Sequence, residues 1–505
     1  ATAPPLTPTL SPEGRGSHTA TEAPWPAASV VIGNPPFLGD KKMRRELGDD
    51  YVEALRATYK GRVPGGADFV CYWFEKARAA IASQALNAAG LVATQSIRAG
   101  VSRKVLAAIQ ESTRIFEAWS DEPWINDGAA VRVSLVCFGN VQTGAMLDGL
   151  EVLAIAADLS EVADGFDLTT ASALSENLKA AFQGPVKVGA FDISGALARQ
   201  WLREPNVNLA SNAEVLRPWA NGQDVTKRPS GTWIIDFGTD VTEAQAALFE
   251  GPFQFVQLHV KPQREAQNDP GRKRFWWRHG RTGDDYRLAI CDLPRYICTP
   301  RVAKHRFFVW LDKQVWPDSR LYAITRADDA TFGLLSSRIH EVWSLAQASM
   351  HGVGNDPTYN AKSCFETFAF PAGLTPADTA HQRTETLASG ARIPADLPAT
   401  RALPAVAAPS DSVPNQPPAL DGQAPAAPQT IAIRDAAIAI AEAAHRLDTL
   451  RQHWLNPPEW TVRVPEVVPL GMTVSPYPDR IEPRPGLSEA DAKALQKRTL
   501  TNLYN

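Results

Sequence analysis

The residues with the clearest chemical potential are Asn34-Pro35-Pro36-Phe37, which follow the β-branched run Ser29-Val30-Val31-Ile32 and Gly33. That run has the pattern of a buried strand that stops where the prolines begin. Ligands of open α/β sheets bind in the crevice outside the carboxyl ends of the strands, so the tetrapeptide is placed to hold one. Pro35 and Pro36 have fixed φ and no N–H, which keeps the backbone rigid and its carbonyls free to accept hydrogen bonds. The Asn34 carboxamide oxygen is a second acceptor and Phe37 a flat apolar face. Together they describe a pocket for a planar group carrying an exocyclic amine. Two acceptors on one amino group draw its nitrogen lone pair out of conjugation with the ring, so it becomes nucleophilic without a strong base. The chemistry implied is methylation of an aromatic amine. As a bare tetrapeptide the segment is also an ordinary turn, since Asn-Pro commonly starts one. The chain contains a second copy, Asn456-Pro457-Pro458-Glu459, which follows a helical pattern and has a carboxylate where the aromatic should be. That copy reads as structural.

The elements that must position the first copy read as strand, helix, strand, helix, strand. Tyr51 to Tyr59 and Ala67 to Ser83 have helical spacing, Leu91 to Thr94 is strand-like, and Ala130 to Phe138 is an apolar run typical of a buried strand. This order suggests a largely parallel sheet covered by helices. From about residue 146 the pattern changes to short strands and irregular segments, and a domain boundary is placed there. Residues 1–27 hold six prolines and read as a disordered lead-in; residues 391–430 hold nine and read as a linker that cuts off residues 431–505. Beyond it, Ile433, Ala437, Ile440, Ala444, Leu447 and Trp454 mark an amphipathic helix that ends at Asn456-Pro457-Pro458 and is expected to pack on the region before the linker. The expected fold class is α/β: a partial Rossmann-like domain (28–145), a mixed α/β region (146–390) and a helical C-terminal segment.

Composition excludes several function classes. Lys plus Arg at 51 against Asp plus Glu at 55 gives a net charge of −4, so there is no global basic field. Apolar stretches are far shorter than the ~20 residues of a membrane-spanning helix, and the N-terminus lacks the basic-then-apolar order of a signal peptide. No membrane association and a cytoplasmic location are expected. Cys71, Cys137, Cys291, Cys298 and Cys364 are scattered without a Cys-x-x-Cys pair, and the histidines show no His-x-x-x-His spacing. Neither disulfides nor a metal is expected.

The positive charge is local. Residues 261–306 contain twelve basic and five acidic side chains, interleaved with Phe275, Trp276, Trp277, Tyr286 and Tyr296. Arginine with aromatics suits phosphate contact, base-edge reading and stacking, and Arg274, Trp277, Arg278, Arg281, Arg301, Lys304 and Arg306 are the candidates for contact with double-stranded DNA. A solvated basic face over a tryptophan core is the alternative. A second basic run, Lys41, Lys42, Arg44 and Arg45, follows the Asn-Pro-Pro-Phe segment and is a candidate for holding a DNA strand there, with an ordinary charge cluster at a helix N-terminus as the equal alternative. Asn355 and Asp356, in a glycine-containing turn, suit turn capping more than base reading.

Val30 to Arg62 and Gly65 to Arg78 resemble the catalytic half of DNA adenine N6-methyltransferases, in particular the type IIG and IIL (MmeI-like) restriction-modification and phage-defence family. The likeness continues through Trp276 to Arg281, Pro294-Arg295-Tyr296 to Val309, His340 to Pro371, and Lys497 to Asn505. The resemblance implies that Asn34, Pro35, Pro36 and Phe37 form the catalytic segment, in which Asn34 and the Pro35 carbonyl accept the adenine amine and Phe37 stacks on a base flipped out of the duplex. It places Asp68 and Phe69 beside the base and methyl-donor pocket, with a helix cap and a core aromatic as the alternative readings, and Trp124 near a second stacking position, with a core or surface tryptophan as the alternative. It implies S-adenosylmethionine as the methyl donor. The glycine-rich turn that normally binds this cofactor is expected before the catalytic motif, yet only 33 residues precede Asn34 and residues 431–505 contain no strand followed by a Gly-x-Gly turn. The expectation is a fragment whose N-terminal methyltransferase half is a separate fragment or subunit, or is lost. The rival expectations are a DNA-recognition module without catalysis, and a methyltransferase of protein glutamine or RNA.

Overall fold

Strand β1 (Val30–Gly33) lies parallel to β2 (Ala88–Thr94), with Gly33 opposite Leu91. Two long strands follow, β3 (Arg114–Asn126) and β4 (Ala129–Gly139), then the short β5 (Ala145–Leu147) and β6 (Leu150–Val152). The six-stranded sheet has the order β1-β2-β4-β3-β5-β6. The computed structural model describes residues 20–126, 129–162, 171–351, 356–402 and 430–505. It divides into two units, Ala1–Ala171 with Gln347–Thr358, and Ser172–Ala346 with Tyr359–Asn505.

The sheet corrects the expectation of largely parallel strands. The apolar run of β4 is antiparallel to both β2 and β3. A parallel pair needs a crossover of a dozen residues or more, and β4 starts too soon after β3 for one. Strand β3 itself was hidden in the sequence: register shifts between Ile115 and Glu117 and between Trp119 and Glu122 break its alternation. The sheet also continues to Val152, beyond the boundary expected near residue 146.

Helices α1 (Asp40–Leu47) and α2 (Asp49–Thr58) are joined at Gly48, whose φ of 84° suits a residue without a Cβ. Helix α3 (Cys71–Ala82) is buried from Cys71 through Ala77, charged residues included, and α4 (Arg103–Ser112) packs beside it. Burial on all sides requires a cover, and the segment read as a disordered lead-in supplies part of it. Trp25 packs against the core, Lys76 lies over its ring and donates to the Ala23 carbonyl, and Arg62 pairs with Glu22 at 2.8 Å. Residues 20–27 are thus anchored by one aromatic and two charged contacts that proline content conceals. Residues 1–19 lie outside those described.

The second unit contains two four-stranded sheets. Asp192–Ser194, Leu216–Ala220, Thr232–Ile235 and Trp316–Pro317 form one; Ala181–Gln183, Arg295–Pro300, Val309–Asp312 and Leu321–Ile324 form the other. The expected amphipathic helix is present at Ile433–Leu455 and ends at Asn456. Its inward stripe is Ile433, Ala437, Ala441, Ala444 and Arg451, while Leu447 is exposed. The small residues matter because helix Asp329–Leu335 crosses closely: a Cβ on Gly333 would meet Ile440 Cγ2 at 2.6 Å.

The linker reading is also corrected in part. Arg392–Pro394 pairs with Thr384–Thr386, and Thr400–Ala402 pairs with Thr430–Ala432, so both ends of the proline-rich stretch are in strand pairs. Residues 403–429 lie outside those described. The last residues are not cut off: Tyr477 packs edge-on to Trp233 at 4.7 Å and Leu500 joins the same core. The C-terminal segment is not wholly helical either, since Thr461–Val464 pairs with Arg480–Pro483.

Candidate functional site

The parallel pair β1 and β2 ends at one edge of the sheet, and the Asn34–Phe37 loop leaves from there. Asn34 and Pro36 are exposed, Pro35 is buried and Phe37 is half-buried. Pro36 donates nothing and its carbonyl accepts from the Leu38 N–H at 3.1 Å, which closes the turn. Among the described residues, neither the Asn34 carboxamide nor the Pro35 carbonyl has a hydrogen-bond partner. The two acceptors that the sequence singled out are therefore the two that the local fold leaves free.

Phe37 lines a cleft of about 510 Å³ together with Leu38, Gly39, Asp40, Lys41, Lys42, Gly66, Asp68, Val70 and Thr94. Asp68 organises it. One carboxylate oxygen accepts from the Asp40 N–H at 3.2 Å, at the start of α1, where a negative charge is favoured. The other accepts from the Ser96 hydroxyl at 2.7 Å, and Ser96 lies 2.6 Å from the Thr94 hydroxyl. Asp68 thus ties the loop after β1 to the turn after β2. Phe69 belongs elsewhere: it is buried, edge-on to Trp73 at 4.6 Å, and only its backbone serves the site by donating to the Leu38 carbonyl at 2.9 Å. Of the two readings of Phe69, pocket residue and core aromatic, its burial fits the second. Gly39, Asp40, Thr94 and Ser96 were missed because Gly, Asp, Thr and Ser at strand and helix ends are ordinary turn formers.

Trp124 is half-buried on β3, opposite Val131. Thr94, at the end of β2, is opposite Val133, so Trp124 lies at the same edge of the sheet as the Asn34 loop. It is three strand positions from β1, about 14 Å at ~4.8 Å per strand.

The basic candidates separate by environment. Lys41 and Lys42 are exposed at the cleft, whereas Arg44 pairs with Asp49 and Glu53, and Arg45 with Glu46. In the second unit Arg274 and Arg281 are exposed. Trp277 is buried and donates from Nε1 to the Val241 carbonyl at 3.0 Å, which also receives the Arg278 guanidinium at 2.7 Å. Arg306 is buried, donating to the Thr299 hydroxyl at 2.9 Å and to the Pro300 carbonyl at 2.5 Å, and desolvation lowers its pKa to about 10. Arg301 donates to Ser319, and exposed Lys304 to Asn505. Trp277 and Arg306 are therefore interior residues in this structure, corrected from surface contacts. Asp356 sits in a short strand pair with His351, and Asn355 lies outside the described residues.

Among the described residues no group of three or more His, Cys, Asp or Glu is placed to hold a metal ion, and no helix is long and apolar enough to cross a membrane. Burial lowers His340 to about 3 and raises Cys71 to about 12, so neither is a reactive group near neutral pH.

Residues 12–147 match the family model of the MmeI DNA-methyltransferase domain. No curated protein matches the chain. Among solved structures, the type IIL restriction-modification enzyme MmeI in complex with DNA is similar with a TM-score of 0.54 and 19% identity, over 67% of this chain and 46% of that one. The DrdV–DNA complex matches with a TM-score of 0.31 and 10% identity, over 64% and 40%. The type IIG restriction endonuclease BpuSI matches at 0.23 and 9%, over 68% and 47%. The chain spans less than half the length of each, and the likeness to the MmeI structure is one of fold. Residues 12–147 thus resemble the MmeI DNA-methyltransferase domain, and the fold of the chain is similar to that of MmeI.

Proposed function

We propose that this chain carries the amine-capturing loop and the target-recognition region of a DNA adenine N6-methyltransferase that uses S-adenosylmethionine in restriction-modification or phage defence. The observation that carries the reading is the pair of unpartnered acceptors, Asn34 Oδ1 and the Pro35 carbonyl, at the carboxyl edge of two parallel strands in a DNA-methyltransferase family domain. A flipped adenine presents its amine to these acceptors and its ring to Phe37. Both acceptors draw on the amine hydrogens and leave the nitrogen lone pair directed at an incoming methyl group. Exposed Arg274 and Arg281 are proposed to contact the duplex.

S-adenosylmethionine supplies a methyl group on a positively charged sulfur. The described residues fit the acceptor side of this reaction and not the donor side. Strand β1 is followed by Asn-Pro-Pro-Phe and β2 by a single helical turn, Gln95–Arg98, and neither carries a glycine-rich turn. Strand β1 is an edge strand with Ile32 82% exposed, the place where further strands would extend the sheet. An N-terminal methyltransferase half, in the same or a separate polypeptide, is proposed to add there. The missing turn also favours a second reading, a recognition module without catalysis.

The test is Asn34→Ala in the longest polypeptide that its gene encodes. Methyl transfer to DNA should fall by about 10²- to 10³-fold, the scale for removing one preorganised hydrogen-bonding group, with DNA affinity nearly unchanged. Equal loss of transfer and binding would overturn the assignment. DNA binding with no methyl transfer before the substitution would favour the recognition module.

A further inference from the structure

A second pocket of about 350 Å³ opens at the end of α2 and the loop after it, lined by Arg56, Lys60, Gly61, Arg62, Val63, Pro64 and Gly65. Three of its lining residues are cations and none is a carboxylate. Arg56 is paired through Nη2 with Asp40 at 2.5 Å, and Arg62 with Glu22 at 2.8 Å and Glu75 at 3.7 Å. These pairs hold the two guanidinium groups in place at the pocket wall. Lys60 is exposed and, among the described residues, its ammonium has no ion-pair or hydrogen-bond partner. The loop adds backbone donors. The Arg62 and Val63 N–H groups both bond to the Tyr59 carbonyl, while those of Gly61 and Gly65 have no acceptor among the described residues. Gly61 has a φ of 81°, the left-handed conformation that turns successive amides toward a common side.

We propose that this pocket binds a backbone phosphate of the DNA strand whose base enters the Asn34 cleft. The inference rests on the DNA-methyltransferase reading and adds to it a site outside the sequence-derived candidates. A lysine, two oriented guanidinium groups and free glycine amides form a donor set for a tetrahedral oxyanion. The two pockets are neighbours: Asp40 lines the cleft, its partner Arg56 lines the phosphate pocket, and Gly65 and Gly66 lie one in each. A phosphate held here fixes the strand beside the cleft without reading sequence.

The experiment compares the salt dependence of DNA binding by the full chain with that of Lys60→Gln, and of Lys104→Gln as an exposed lysine on α4 outside the pocket. Lys60→Gln should weaken binding roughly threefold to tenfold at low salt and reduce the slope of log K against log salt by about 0.9, the value for one phosphate. Lys104→Gln should leave the slope unchanged. An unchanged slope in Lys60→Gln, or the same change in both variants, overturns the proposal. Calorimetry with inorganic phosphate separates the sources: free phosphate binding that Lys60→Gln abolishes, with the DNA slope intact, would make this a free-anion pocket and also overturn it. The slope is read from binding and the function above from methyl transfer, so either can fail alone.

Discussion

The chain uses Asn-Pro-Pro twice, and the two copies differ in what surrounds their polar atoms. In both, the first proline is buried and the second exposed. At Asn456 the carboxamide accepts from Arg228 Nη1 at 2.9 Å and donates to Gln452 at 3.3 Å. The Pro457 carbonyl accepts from the Trp460 and Thr461 N–H groups at 3.0 and 2.9 Å and from the Thr461 hydroxyl. Every equivalent group at Asn34 and Pro35 is unpartnered among the described residues. The same three residues are a helix terminator in one place and a free pair of acceptors in the other. A motif acquires chemistry from the strand edge that presents it, not from its residue types alone.

The contrast between engaged and free polar groups extends to the basic segment, and substitutions there can break it. The largest effect is expected at an engaged residue: Trp277→Ala should destabilise the fold by about 3–5 kcal/mol, read by chemical denaturation, because the ring is buried and its N–H is bonded to Val241. A loss of DNA affinity without a loss of stability would show that Trp277 reaches DNA after all. Next, Asn456→Ala should cost about 1–2 kcal/mol, since it leaves the Arg228 guanidinium with one fewer acceptor, and methyl transfer by the folded fraction should persist. A collapse of transfer at unchanged stability would mean that the second copy is not structural. The smallest stability effect is expected where groups are free: the double variant Arg274→Gln and Arg281→Gln should change stability by less than about 0.5 kcal/mol. Its salt slope for DNA binding should fall by about 1 to 2. An unchanged slope would remove the two arginines from the recognition surface.

Much of the first unit was legible because its signals are local. The β-branched run before Gly33, the helical spacing of α2 and α3, and the helix ending at Asn456 all appear where expected. Strand β3 was not legible, because its register shifts and its Pro123 disrupt the two-residue alternation that marks a strand. Proline-rich segments misled in the other direction. Residues 20–27 are held by Trp25, Glu22 and the Ala23 carbonyl, and the pairing of Thr400–Ala402 with Thr430–Ala432 joins residues separated by the alanine- and proline-rich stretch. Composition carries no information about such distant partners. At the site, Asn34 to Phe37 could be singled out by type and spacing. The Asp68 tie between two loops could not, because Asp40 and Ser96 each lie 28 residues from it along the chain. In the basic segment, counting charges could not tell exposed Arg274 from buried Arg306.

The most direct test of the account is the chemical identity of the methylated base. The complete open reading frame, with Asn34 and with Asn34→Ala, would be expressed in a host devoid of adenine methylation, and its DNA digested to nucleosides for mass spectrometry. The account predicts N6-methyldeoxyadenosine with Asn34 and its loss with Asn34→Ala. Methylated cytosine as the product, or undiminished N6-methyldeoxyadenosine in the variant, would contradict it.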